Sequence, residues 1–362
     1  MAINLQLHNG KLVGLHGPPP TEDLVLLNPQ MYGASKGQRE RVQLTHAMSP
    51  GDIVCLTSLP RDIMAAHPDR YEIHVTTRWP SLWANNPRIA SYSEYPVVNA
   101  RPIHLDYASP MIYINNVKLH FITAFHRNFT ELEQISVPCT QPKGDLYLSE
   151  EEKDNRLVDS RYWVLFAGGK LDFTTKLWSD KRWQQLVDSL AAIGITVVQA
   201  GTRSGFHSNP TLENVIDLVG KTNLRESLQL IAQADGVISA VSFPMHAAAA
   251  LDKPCVVIAG GREHWWWEAY ANVDGINTFG DACSPVKVPH RYLHTQDQLS
   301  CCMGEGCWKD KVVQTKQGST VCSKPVDDDF GQIIPTCLKM ITVDHVIEAV
   351  TSYYADKTIE PL

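Results

Sequence analysis

The tightest constraint on this chain lies in residues 162–261, where short apolar runs end repeatedly in glycine and alternate with helical spacing. Residues 163–167 read as a buried strand ending in Gly168-Gly169-Lys170, and residues 196–200 as a strand ending in Gly201-Thr202. Residues 215–219, 236–239 and 254–259 read as further strands, the last ending in Gly260-Gly261. The spacing predicts helices over Asp180–Ala192, residues 224–234 and residues 245–251, the second opened by Thr222 or Asn223 with Glu226 placed for a capping box. Repeated β-α units of this kind predict a parallel sheet covered by helices, with ligands held at the carboxyl ends of the strands. That rule gathers Gly168-Gly169-Lys170, Gly201-Thr202, Ser242 to His246 and Gly260-Gly261-Arg262-Glu263 around one crevice, expected to grip a phosphate-bearing ligand.

With 362 residues the chain has material for a second core. The signals in the first half are weaker. Asn9-Gly10 between two alternating runs predicts a hairpin, Leu24-Val25-Leu26-Leu27 a short buried strand, and Gly33 to Arg41 a polar loop. A helix is expected over residues 53–66, closed by His67-Pro68, then a strand over residues 71–76, which completes one βαβ unit. Residues 80–130 carry no clear periodicity, and the polar run over residues 140–160 reads as a domain linker. The division expected is 1–150 for a first Rossmann-like domain and 151–342 for a second Rossmann-like domain, which holds the phosphate-gripping crevice and carries a cysteine-rich insertion at 295–340. A last helix over 343–362, with Thr342 as cap, is expected to cross back to the first domain.

Net charge is −7 with no long Lys/Arg run, which disfavours nonspecific nucleic-acid binding. The opening MAINLQLHNGK lacks the pattern of a secretory signal, and no apolar run approaches the ~20 residues of a bilayer span, so a cytoplasmic protein is expected.

Four constellations carry chemistry. Ser242-Phe243-Pro244-Met245-His246 precedes four alanines, so a proline-started helix would point free N–H groups and its dipole at an anion; a capped core helix fits the same residues. Lys170 and Lys176 offer cations to a phosphate, or are simply solvated. Gly51-Asp52 puts a carboxylate at a helix start, either as a cap or as a general base facing the cleft. Cys302, Cys307, Cys322 and Cys337, with Cys301 as alternate, supply four thiolates for a closed tetrahedral Zn or Fe site, or stay free. Trp265-Trp266-Trp267 suits either stacking on a base or sugar or a wedge between domains.

Taken in order, these segments resemble glycosyltransferase family 9, the ADP-heptose:lipopolysaccharide heptosyltransferases. Gly51-Asp52-Ile53-Val54 with Leu59-Pro60 resembles that family's first glycine-aspartate segment, and Lys176-Leu177-Trp178 its Lys-x-Trp segment. Leu218-Val219-Gly220-Lys221-Thr222 is similar to its leucine-x-glycine-lysine-threonine stretch, and Ser242 to Ala249 to its Asp-Ser-Gly-Pro-Met-His signature. The acid before that serine is Val241 here and the glycine after it Phe243, which points to a different sugar or a different sugar contact. The tail, with its cysteines, more loosely resembles the iron-binding autotransporter heptosyltransferases. The resemblance implies an α/β GT-B architecture, two Rossmann-like domains facing a central cleft. It implies an inverting transfer with no catalytic metal, in which Asp52 is the base and Lys176, Thr222, Ser242, Met245 and His246 hold the donor. The donor would be a nucleotide-diphosphate sugar; the acceptor hydroxyl, on a glycan, protein side chain or modified nucleobase, and the oligomeric state stay open. An inactive nucleotide-binding module and a nucleotide-sugar epimerase are the competing readings.

Overall fold

The computed structural model describes residues 5–8, 11–14, 39–108, 118–170, 174–272, 278–304, 306–307, 313–314, 316 and 320–361. β1 (Leu5–His8) and β2 (Lys11–Gly14) pair antiparallel, His8 opposite Lys11, as the hairpin signal predicts. The expected strand at Leu24 to Leu27, and most of the expected polar loop after it, lie outside the described residues.

The first sheet is four-stranded and wholly parallel: β3 (Glu40–His46), β4 (Tyr71–Thr77), β5 (Ser91–Ser93) and β6 (Arg101–His104), in the order β5-β4-β3-β6. Its central strand, β3, begins inside the segment read as a polar loop. Val42 and Leu44 alternate toward the core, while the polar Gln43 is buried because its carboxamide oxygen accepts the Val97 N–H at 2.6 Å. Polar residues that are satisfied inside hide a strand from hydropathy. The expected helix over residues 53–66 is two helices, α1 (Pro50–Leu56) and α2 (Ser58–Ala66). Pro60 accounts for the break, since it has no N–H to donate back to Leu56 and its ring crowds that carbonyl. α3 (Phe121–Glu133) lies in the stretch without readable periodicity and buries Phe121, Phe125 and Phe129. α4 (Glu150–Asp154), capped by Ser149, occupies the polar run between the sheets.

The second sheet holds β7 (Trp163–Phe166), β9 (Val197–Gln199), β11 (Ile216–Asp217), β12 (Gly236–Ala240), β13 (Cys255–Gly260) and β14 (Arg291–His294). All pairings are parallel and the order is β11-β9-β7-β12-β13-β14. Counted within this sheet the order is 3-2-1-4-5-6, the doubly wound arrangement whose crevice opens between β7 and β12. A separate ribbon pairs β8 (Gly169–Lys170) with β10 (His207–Ser208). The helices are α5 (Asp180–Ala192), α6 (Leu224–Gln233), α7 (Phe243–Ala250), the short α8 (Trp265–Glu268), α9 (Thr336–Lys339) and α10 (Val343–Ala355). Asn223, not Thr222, caps α6 and forms the box with Glu226. α10 has Thr342 as its cap but packs on α5, β13 and β14, burying Val346, Val350 and Tyr353 in the second sheet's core. The expectation that it crosses to the first domain is corrected: its apolar stripe matches the face it already covers.

One apolar cluster runs from Val42 and Leu44 through Ile53, Val54 and Leu56 into Met245 and Ala247 to Ala250, joining the two sheets' layers. Each such large side chain, fully buried, contributes about 1.5–3 kcal/mol. The joint is α1 against α7. A Cβ on Gly51 would stand 2.8 Å from His246 Cδ2 and 3.4 Å from Phe243 Cα, so only glycine lets the helices approach this closely. Gly51→Ala is therefore expected to cost roughly 1–3 kcal/mol through overpacking, read as a lower urea midpoint with an unchanged m-value; an unaltered midpoint would contradict the contact.

Candidate active site

Two helix starts meet at the mouth of the second sheet's crevice. On the first side Ser49 caps α1, Pro50 opens it, and Asp52 closes the box by accepting the Ser49 N–H at 2.9 Å. The capping reading of Asp52 thus holds, yet the carboxyl also lies at the domain boundary. Burial pushes its pKa above the ordinary value, against the pull of His46 and His246 and with a further push from Glu268. On the other side Ser242 caps α7 by position only. Its hydroxyl donates to Ala240 O at 3.2 Å, so the first-turn N–H groups receive no side-chain cap from it. Uncapped N–H groups and the helix dipole favour an anion here.

Lys176 reaches this point from the loop after β7: its Nζ donates to Val241 O at 2.8 Å and lies 3.5 Å from Glu263 Oε1. Desolvation and the neighbouring Arg262 guanidinium lower its pKa to about 7, with Glu268 and Asp52 pulling the other way. Arg262 and Glu263 are buried and paired with each other. Glu263 Oε2 has no hydrogen-bond partner among the described residues, a costly state for a buried carboxylate oxygen until a donor group arrives.

The sequence-nominated base and donor residues divide into four groups. Asp52, Lys176, Ser242, Arg262 and Glu263 gather at the crevice. Gly168 and Gly201 lie at the ends of β7 and β9, where Cβ atoms would stand 2.2 and 2.5 Å from Asn209 Oδ1; their smallness makes room for that side chain. Gly169 and the exposed Lys170 belong to the β8 ribbon; Thr202 is exposed, and Thr222 half-buried just before the cap of α6. Met245 and His246 face inward instead: Met245 is fully buried and His246 only 3 % exposed, packed between α1 and α7. His246 Nδ1 lies 2.8 Å from Tyr270 Oη and 3.3 Å from Cys55 Sγ, while Nε2 faces Glu268 Oε2 at 3.4 Å.

Glu268, Asn209, Tyr270, Cys55 and His46 were not legible as site residues. Glu268 follows three tryptophans and carries no motif of its own, although Lys176, His246 and Arg262 together hold its carboxyl below the ordinary range despite burial. Nor do the tryptophans form one platform. Trp266 stacks on His264 at 4.2 Å and carries Lys118 Nζ 4.8 Å from its ring centre, and Trp267 packs on the core. Trp265 lines an open groove of ≈ 680 Å³ at β14, together with Tyr292, His294 and His345.

The cysteines fall beside the same crevice. Cys302 Sγ donates to Leu299 O at 3.3 Å, and a Cβ on Gly261 would stand 2.8 Å from it. Burial raises the pKa of the Cys301, Cys307 and Cys337 thiols, and charge on neighbouring cysteines raises them further, although among the described residues no three of these sulfurs lie within 4.8 Å of one another. Cys302 and Cys301 both act on the Cys337 thiol, so the geometry singles out neither as the fourth ligand.

Among the described residues, the one His/Cys/carboxylate trio within 4.8 Å is Asp62, His126 and Cys139. Its carboxylate is already saturated by Arg61 (2.9 Å to each oxygen), His126 Nε2 (2.7 Å) and the Thr140 hydroxyl (2.5 Å), which reads as an ion-pair network rather than a metal cage. Desolvation opposes it, but His126 and Arg61 hold the Asp62 carboxyl well below its ordinary range. A depressed folded-state pKa means stability that is full above the unfolded value and lost as pH falls below it. Asp62→Asn is expected to cost about 3–5 kcal/mol at neutral pH by stranding Arg61 and to flatten the loss of stability below pH ~4. Equilibrium unfolding from pH 7 to 3 checks both.

The comparisons agree with this geometry. The family model for glycosyltransferase family 9 (heptosyltransferase) matches residues 111–293, half of the chain. The chain belongs to glycosyltransferase family 9, and its two facing parallel sheets are a GT-B fold. Lipooligosaccharide heptosyltransferase 2 of Haemophilus influenzae is 28% identical over 125 residues, 31% of this chain and 35% of that protein. The chain thus aligns with about a third of the length of that curated relative. The family 9 glycosyltransferase from Veillonella parvula superposes with a TM-score of 0.59 at 15% identity, covering 90% of this chain and 100% of that one. The iron-containing dodecameric glycosyltransferase TibC from enterotoxigenic E. coli gives 0.58 at 16% identity, covering 88% and 78%. Among the described residues no helix is long and apolar enough to cross a membrane.

Proposed function

We propose that this protein is an inverting glycosyltransferase that moves a sugar from a nucleotide-diphosphate donor of the ADP-heptose kind to an acceptor hydroxyl. One observation carries the reading: a buried carboxyl of raised pKa, Asp52, meets an uncapped helix start and a lysine of lowered pKa across the domain boundary.

The donor diphosphate sits on the N–H groups that open α7, with Lys176 against it; both supply positive charge where the leaving group gathers negative charge. Glu263 Oε2 accepts from a sugar hydroxyl. It thereby performs the contact that Val241 in the signature no longer offers, and the short reach from Lys176 to both Val241 O and Glu263 supports this substitution. Asp52 takes the proton from the acceptor hydroxyl as its oxygen attacks the anomeric carbon. The bond to the diphosphate breaks on the opposite face, so the configuration inverts. Cys302, Cys307, Cys322 and Cys337, with Cys301 as alternate, would hold a structural Zn or Fe beside Gly260 and Gly261, which Cys337 and Cys302 already neighbour; the four-sulfur donor set and the iron reported for TibC support this reading. Such a metal would stiffen the loop and take no part in the transfer.

Asp52→Asn is expected to lower turnover by about 10²–10⁴-fold while nucleotide-sugar binding, read by thermal shift, persists. Equal loss in both would favour a structural role for Asp52, and binding without turnover of any donor in the native protein would favour an inactive module. The lowered pKa of Lys176 sets a second outcome. Above pH 7 the free protein carries this lysine increasingly neutral, and a diphosphate must recruit a proton to it. ADP binding at pH 8 should therefore take up protons in calorimetry across buffers of different ionisation enthalpy, and Lys176→Met should abolish that uptake. For the cysteines, elemental analysis should find Zn or Fe in purified protein, lost in Cys322→Ser; a metal-free reduced protein would overturn the assignment.

A further inference from the structure

Two thiols lie across the seam between the sheets, apart from the donor crevice and from the cysteines beside Gly260. Cys139 Sγ and Cys283 Sγ are 3.3 Å apart, although 144 positions separate them in the chain. Cys139 belongs to a segment tied to the first domain, where Arg61 donates to Lys143 O and Gln141 O at 2.9 and 3.0 Å and Thr140 is held by Asp62. Cys283 belongs to the second, in the turn where its own N–H donates to Gly280 O at 3.1 Å. The next residues of both segments are already joined, the Ser284 N–H donating to Thr140 O at 3.1 Å. A disulfide needs the sulfurs to close to about 2.05 Å, a matter of side-chain rotation when the backbones already meet. Cys139 is buried and Cys283 half-buried, so reagents reach one sulfur first and the other waits behind it. Burial and the neighbouring Cys283 push the Cys139 thiol up, which suits a resolving partner rather than the first nucleophile.

We infer that Cys139 and Cys283 form a reversible disulfide that locks the two domains together and so regulates the proposed transferase. The oxidant class is a hydroperoxide. The Cys283 sulfur attacks one peroxide oxygen, the O–O bond breaks, and water leaves with a sulfenic acid on Cys283. The Cys139 sulfur then attacks that sulfur, the S–O bond breaks, and a second water leaves. Two thiols and one hydrogen peroxide thus give one disulfide and two waters, and a dithiol reductant reverses the change by exchange. The lock spans the seam that also holds the α1–α7 contact and the Lys143–Asp252 ion pair at 2.7 Å. Opening of the cleft to admit a donor and release a product must work this seam.

The test treats the full-length chain with hydrogen peroxide and maps its tryptic peptides before and after dithiothreitol. A Cys139–Cys283 cross-linked peptide should appear, vanish on reduction and be absent in Cys283→Ala, a half-buried position where folding should survive. The oxidised native protein should melt about 3 °C or more above the reduced one and turn over about tenfold slower or worse, with neither change in Cys283→Ala. Oxidation of other cysteines without this cross-link in folded protein would overturn the inference, as would a cross-link that leaves both melting and turnover unchanged. The turnover arm rests on the transferase reading. A cross-link that raises the melting point of a protein inactive with every donor even when reduced would fault that reading and keep the lock.

Discussion

The approach of α1 to α7 is the contact on which the rest depends. Gly51 offers no side chain, so the imidazole of His246 and the backbone at Phe243 press directly against the first turn of the opposite helix. That closeness puts the Asp52 carboxyl within the electrostatic reach of His246 and Glu268, two residues of the other domain. It also buries the Cys55–His246–Tyr270 contacts, which fix the imidazole between the domains. The chemistry proposed for this protein needs a base from one domain and an anion site from the other, and this joint brings them together.

The cost of such a joint is buried charge. Asp52, Lys176, His246, Arg262, Glu263 and Glu268 share a small volume; all but Glu263 alter a neighbour's ionisation, and Glu263 pairs with Lys176 and Arg262. Three carboxyls against two cations and an imidazole nearly balance, which is how so many ionisable groups stay in one buried place. Glu263 is the exception in detail, because one of its oxygens waits for a donor. A site that is incomplete without a ligand is a reason to look for that ligand among hydroxyl-rich molecules.

The second domain was largely legible from sequence because its strands are continuous apolar runs ended by glycine, the pattern of strands buried on both faces. The first was not. β3 hides Gln43 and His46 inside, each with one polar atom on a backbone partner, so hydropathy reads the strand as loop. α3 follows a stretch broken by Pro and Asn, and β14 is too short to show a period. Asp52, Lys176, Ser242 and Glu263, which lie at the crevice, could be nominated because each follows a turn at a strand end or helix start. Met245 and His246 were expected in the ligand loop and instead face the joint, since helical spacing alone does not say which side of α7 meets the other domain. Glu268 and Asn209 carry no local pattern; only the chain's return in space reveals them.

The central claim is that the start of α7 holds a donor diphosphate within reach of Asp52. A structure of the chain with ADP bound tests it most directly. The terminal phosphate is predicted at the start of α7, accepting from the Phe243 N–H, with Lys176 Nζ turned from Val241 O to a phosphate oxygen and the open side of that phosphate facing Asp52. A diphosphate bound away from this helix start, for example in the groove lined by Trp265 and His294, would contradict it.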